Sequence, residues 1–164
     1  MSPRKLSYAQ TLGLALCLVV SSSTSTNGQS ESSLSTRIVE ALKAKEPDWK
    51  YIGYLDFPFF PRVSSERRII TGIWTNPQAR STDVRISVYS VESRGDAAKW
   101  LQPARDWQVS TFQIGDEGYL SKYENGDRFN IEFRKGTVVA RIRGDDLDRV
   151  KEFAQTVGAQ IRAN

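Results

Sequence analysis

Between Phe129 and Arg143 the chain alternates apolar and polar residues on both sides of a Lys-Gly pair, and no other stretch restricts the fold as much. With Lys135 and Gly136 at the tip of a tight turn, Phe133 faces Val138, Ile131 faces Ala140 and Phe129 faces Ile142. All six are apolar, and they share one face because successive strand residues point to opposite sides. The other face carries Arg128, Asn130, Glu132, Arg134, Arg141 and Arg143, with Thr137 and Val139. A one-residue slip would invert every side chain, so the pattern specifies a hairpin with one apolar face. That face needs a cover. Downstream, Leu147, Val150, Ala154, Val157 and Ile161 step by three and four residues, with Phe153 beside them. This spacing predicts an amphipathic helix, and Asp145 and Asp146 stand where its N-cap belongs.

The remaining elements follow from shorter signals. Asn125-Gly126 suits a second turn, joining a strand at Tyr119–Tyr123 to the one that follows Arg128. A bulge there would decide which side Tyr119, Ser121 and Tyr123 take. Arg68–Thr75 is β-branched and aromatic, and Asp83–Val91 alternates with period two; both read as strands, separated by the turn-rich NPQARST. Ser93 and Asp96 have capping-box spacing and start a short helix through Leu101, which Pro103 stops. From there to Gly115 no periodicity is legible. Leu34, Ile38, Leu42 and Lys45 fall on one helical stripe with Ala41 beside it, predicting a helix over about 34–46 that Pro47 ends. Trp49 to Phe60 reads as an extended aromatic segment or edge strand, since Pro58 cannot donate to a ladder. The fold class is therefore α+β: an antiparallel sheet of five to six strands with two or three helices packed on it, the C-terminal helix covering the apolar face. One of the two faces is left to solvent.

The first 28 residues differ from the rest. Arg4 and Lys5 precede an apolar run, Leu12 to Val20, and then small polar residues to Gly28. That order is expected of a secretory signal peptide, and the run is too short to span a bilayer. Cleavage is expected between Ser23 and Gln29. Cys17 lies inside the segment, and Leu16 before it does not suit a lipidation box. Residues 29–33 then form a Ser-rich linker and 34–164 a single domain. Location is expected to be secreted or periplasmic, with no membrane span once the signal is removed.

Composition closes several chemistries. The chain has no His, and its single Cys lies in the leader. A His-based nucleophilic triad and a Cys/His zinc site are ruled out. Residues 1–28 hold two basic and no acidic residues, so their removal lowers the net charge from +4 to +2, which makes no case for nucleic acid. No cofactor and no metal are implied: Asp145, Asp146 and Asp148 lack the spacing of a calcium loop.

The face with Arg128, Arg141, Arg143, Asn130 and Glu132, flanked by Tyr119 and Tyr123, is the main binding candidate. Guanidinium groups on a rigid sheet can clamp a carboxylate or phosphate in bidentate fashion. Its partner would be an unidentified protein or a small anionic ligand. An ordinary sheet face would instead pair Glu132 with Arg141 or Arg143. Trp49, Tyr54, Phe57, Phe59 and Phe60 form the densest aromatic patch, a partner surface if exposed and core packing if not. Asp116 and Glu117 are adjacent carboxylates between glycines; a carboxylate-dependent hydrolase would need one of them plus a distant partner. Arg-Gly-Asp occurs at 94–96 and 143–145, each between a strand and a helix. It could signal adhesion or an internal duplication, but turn and cap roles explain both copies.

Ile114-Gly115-Asp116-Glu117-Gly118-Tyr119, the hairpin Ile131 to Ile142 and the closing helix together resemble a loose group of exported bacterial domains of unassigned function. In these, a GDEAY stretch precedes an arginine- and glycine-bearing hairpin. The element order is similar to that of PsbP/Mog1-like α/β domains. The resemblance spans roughly residues 84–162, with Gly118 where the pattern has Ala. It implies fold and export, brings no catalytic residue, and implies helices on both sheet faces, against the alternation argument. An exported, non-enzymatic binding module is the expectation, with a carboxylate-dependent hydrolase and an Arg-Gly-Asp adhesion ligand as alternatives.

Overall fold

The computed structural model describes residues 31–53, 63–78, 83–101, 107–123 and 128–162. The elements in chain order are α1 (Glu31–Lys45), β1 (Lys50–Gly53), β2 (Arg67–Thr75), β3 (Val84–Ser90), α2 (Arg94–Trp100), β4 (Trp107–Thr111), β5 (Glu117–Tyr123), β6 (Phe129–Lys135), β7 (Val138–Gly144) and α3 (Leu147–Gln160). The strands make one sheet of seven, in the order β1-β2-β3-β7-β6-β5-β4, with every neighbouring pair antiparallel. The expected α+β class and C-terminal helix are present; the strand number is seven rather than five to six. The added strand is β4, in the stretch without periodicity. Its residues Gln108 to Thr111 are all exposed, so no buried face imposes an alternation on the sequence.

The β6–β7 hairpin has the expected faces and a different register. Phe133 lies opposite Ala140 and Ile131 opposite Ile142, with Lys135 paired to Val138. The loop is therefore Gly136-Thr137, not Lys135-Gly136. Gly136 has φ +63°, and among the described residues no non-glycine has positive φ. A turn with positive φ only at its first loop position puts glycine there and strand residues on either side. The shift is by two residues along the partner strand, so the apolar set stays on one side.

Above that side lie α1 and α3. Val150, Phe153 and Val157 of α3 and its C-cap Ile161 are buried, on the order of 6–12 kcal/mol of gross apolar burial. Leu34, Ile38 and Leu42 of α1 join the same core with Trp74, Ile86, Ile131, Phe133 and Ile142. Helix α1 begins at Glu31, inside the expected linker; no Gly or Pro interrupts the chain between Gln29 and Pro47. Trp49 is core rather than surface: it is 5% exposed and meets the Phe153 ring edge-on at 5.2 Å. Tyr54, Phe57, Phe59 and Phe60, like residues 1–30 and the expected turn at Asn125-Gly126, lie outside the described residues.

The opposite side is not left wholly to solvent. Helix α2 packs on it, and Trp100, Leu101 and Ala97 form a second core with Tyr89, Val91 and Val139. The expectation of one wet face is corrected here. Alternation along a strand reports polarity, and polar side chains can themselves be roofed when they pair with one another. Among the described residues, no helix is long and apolar enough to cross a membrane.

Candidate functional site

Two rows of polar side chains cross the α2 side of the sheet. The register places Thr71, Ser87, Arg141, Glu132, Tyr119 and Thr111 in one row, and Arg85, Arg143, Asn130 and Ser121 in the next. The β5–β6 pairing runs without a bulge, so Tyr119 and Ser121 do take the arginine side. The side chain of Tyr123 lies outside the described residues.

The candidate arginines divide between the rows. Arg141 and Glu132 are 8% and 5% exposed, and Arg141 Nε donates to the Glu132 carboxylate. The Trp100 ring lies 4.9 Å from the Arg141 guanidinium carbon, a cation–π contact that seals the pair under α2. Trp100 is fixed in turn by its indole N–H, which donates to Glu66 at 2.9 Å. A charge pair buried in this way serves packing; removing one partner would strand the other charge in the interior. Tyr119 likewise points its hydroxyl at a neighbour, donating to Glu117 at 2.7 Å.

Arg143, Asn130 and Arg128 stay together at the open end of the second row. With Arg85 and the Phe129 backbone position they line a pocket of about 90 Å³, which Asp83 and Asp145 also line. Each guanidinium is held through Nε: Arg143 by Asn130 Oδ1 at 3.2 Å, Arg85 by Asp83 at 2.9 Å, and Arg128 by Asp145 at 3.5 Å. Asn130 is itself 3% exposed and donates to Ser121 Oγ at 3.4 Å. The pocket thus combines three permanent cations and two carboxylates, with a buried amide orienting the central arginine.

Sequence reasoning missed Arg85, Asp83 and the pocket role of Asp145. Arg85 stands out of the apolar alternation in β3, which was visible. That β3 lies beside β7, and so brings Arg85 beside Arg143, is a long-range pairing that no local signal carries. A wider groove of about 490 Å³ separates α1 from β2, with Glu40, Lys43 and Arg68 on its walls and Tyr51 at one end. Tyr51 and Ile52, 37% and 59% exposed, are the aromatic segment's described surface contribution.

The adjacent carboxylates are occupied. Arg134 Nε donates to Glu117 at 2.8 Å, and this hydrogen bond, then that from Tyr119, holds the Glu117 carboxyl below its usual range. The same Tyr119–Glu117 bond pushes the Tyr119 phenol up. Asp116 accepts from the Gly136 N–H at 2.8 Å and so ties the β4–β5 loop to the hairpin turn. A carboxylate held ionised is a poor general acid. In the two Arg-Gly-Asp copies, Ser93 caps α2 by accepting from the Asp96 N–H at 3.1 Å, while the Asp96 carboxylate accepts from Ser93 Oγ and Lys99; this holds it below its usual range. At the second copy Asp146, not Asp145, is the N-cap of α3. Among the described residues, no group of three or more His, Cys, Asp and Glu is placed to hold a metal ion.

Family models, curated proteins and solved structures, compared with this chain, give no match. The geometry of the pocket is therefore what speaks to function.

Proposed function

We propose that this chain is an exported, non-enzymatic domain that binds a small anionic group, a carboxylate or phosphate borne by a ligand or partner, in the pocket of Arg85, Arg128 and Arg143. One observation carries the reading: three guanidinium groups from β3, β7 and the start of β6 converge on one small pocket. Charge-assisted, planar donors of this kind favour carboxylate and phosphate oxygens over neutral groups. The two carboxylates leave an excess of one positive charge, which suits one anionic group rather than a polyanion. A volume of about 90 Å³ admits such a group and leaves the rest of the ligand outside.

The test is a titration followed by arginine Nε–Hε NMR signals, with acetate, inorganic phosphate and citrate as probes. Saturable shifts at Arg85, Arg128 and Arg143 are expected, and at least tenfold weaker binding in an Arg85/Arg128/Arg143→Gln triple variant. Lys151→Gln, on the outside of α3, is expected to bind as wild type. No saturation by any probe, or equal affinity in the triple variant, overturns the reading. Export is tested separately: the N-terminus of the accumulated protein should lie between Ser23 and Gln29, and an intact Met1 would refute that part.

A further inference from the structure

The two margins of the sheet are treated differently by the sequence. β1 is guarded in several ways. It is four residues long, begins with Lys50, breaks register between Tyr51 and Gly53, and carries Gly53 at φ +86°. These are devices that stop a margin strand from recruiting another strand. β4 has none of them. Its pairing with β5 is regular over all five residues, Trp107↔Tyr123 to Thr111↔Tyr119. From Trp107 to Gly115 the chain contains neither a charge nor a proline. Gln108, Val109, Ser110 and Thr111 are exposed, Val109 by 38%. Among the described residues nothing pairs with the outer margin of β4. Its outward N–H and C=O groups form a template for one more strand.

We infer that a second copy of this chain supplies that strand, β4 pairing antiparallel with β4 about a two-fold axis at Val109. The occupant follows from self-complementarity. In that register Trp107 faces Thr111 of the second copy, Gln108 faces Ser110 and Val109 faces Val109. No charge opposes a like charge, and every side-chain pair is uncharged. β-Branched and aromatic pairs of this kind stabilise antiparallel neighbours. The result is a continuous sheet across two copies, with β5 lying between the junction and the β6 side of each arginine pocket. A margin of five residues buries much less than the roughly 1,600 Å² of a standard interface, so the dimer is weak and exchanges rapidly.

Sedimentation velocity on the purified protein, in the form its cell accumulates, tests this over roughly 10 µM to 1 mM. A dimer fraction rising with concentration is expected. Val109→Lys sets like charges opposite each other and should weaken dimerisation at least tenfold, as should Val109→Asp. An equimolar mixture of the two variants should dimerise again, because Lys then faces Asp. The melting temperature of each variant checks folding, and an exposed margin position should leave it nearly unchanged. A monomer at every concentration leaves the margin to a strand of some other protein and overturns the inference. So does a wild-type dimer that Val109→Lys does not weaken, or a variant mixture that stays monomeric. None of these results depends on anion binding.

Discussion

Gly118 sits where no side chain fits. A Cβ there would lie 2.7 Å from the carbonyl oxygen of Phe112 and 2.6 Å from the Ile114 side chain. Phe112 and Ile114 turn inward to the main core from the β4–β5 loop, so the loop backbone passes directly over position 118. This accounts for glycine at position 118. Gly118→Ala is expected to cost about 1–3 kcal/mol by overpacking, read as a lower urea midpoint at unchanged m-value. Two carboxylates should show opposite pH signatures. The Arg134 and Tyr119 hydrogen bonds hold Glu117 low, so its contribution is present above its unfolded value and lost as pH falls through the folded one. Glu117→Gln should cost about 1 kcal/mol at pH 7, a gap that narrows below about pH 4. Burial pushes Glu46 up despite Arg149 at 3.2 Å, with Glu152 adding to the rise. Here the folded state prefers the proton, so stability is greatest in acid and falls as pH rises through the folded value. Glu46→Gln should therefore raise the melting temperature at pH 7 and match wild type in acid; a loss at pH 7 would refute the burial argument.

The elements that could be read locally were those with one polar and one apolar side. β3, β6 and β7 carry alternation, α3 carries a 3–4 step, and α2 carries the Ser93–Asp96 box that its geometry uses. The register of β6–β7 was legible in parity but not in absolute pairing, because Lys135-Gly136 and Gly136-Thr137 both offer a glycine to the turn. β4 was illegible for the same reason that it is exposed: nothing buried selects its side chains. The arginine face was legible as a set of residues, yet its division was not. Whether Arg141 is buried and Arg143 open depends on where α2 lands, and that is decided by Trp100 meeting Tyr89 and Arg141 across the sheet. α3 supplies the sharpest test at this level. Val157 is fully buried, and an unpaired charge there has no partner and no route to water. Val157→Asp should abolish cooperative unfolding, whereas Gln155→Asp, exposed on the same helix, should melt within about 2 °C of wild type. A cooperative Val157→Asp melt near the wild-type temperature would mean that α3 does not roof the sheet.

The first and last described elements pack together. α1 and α3, first and last in sequence, form one layer, joined by Arg37 donating to the Gln160 carbonyl at 3.0 Å and by the Arg149–Glu46 pair. β3, from the first half of the chain, lies beside β7, from the second. Opening any central strand therefore breaks both layers at once, while the margins can open alone. Amide exchange should follow this arrangement. β3, β6 and β7 are flanked on both sides and should exchange only through global unfolding, at the free energy measured with denaturant. Among the described residues β1 and β4 have one neighbour each, and they should exchange faster by local opening. α2, one short helix on its own side of the sheet, should open below the global free energy while α3 does not. The protection of β4 should moreover rise with protein concentration and that of β1 should not, because only β4 offers an unguarded margin to a second copy. If β4 in dilute protein is as slow as β7, its outer groups are already paired within one chain, and the sheet does not end there.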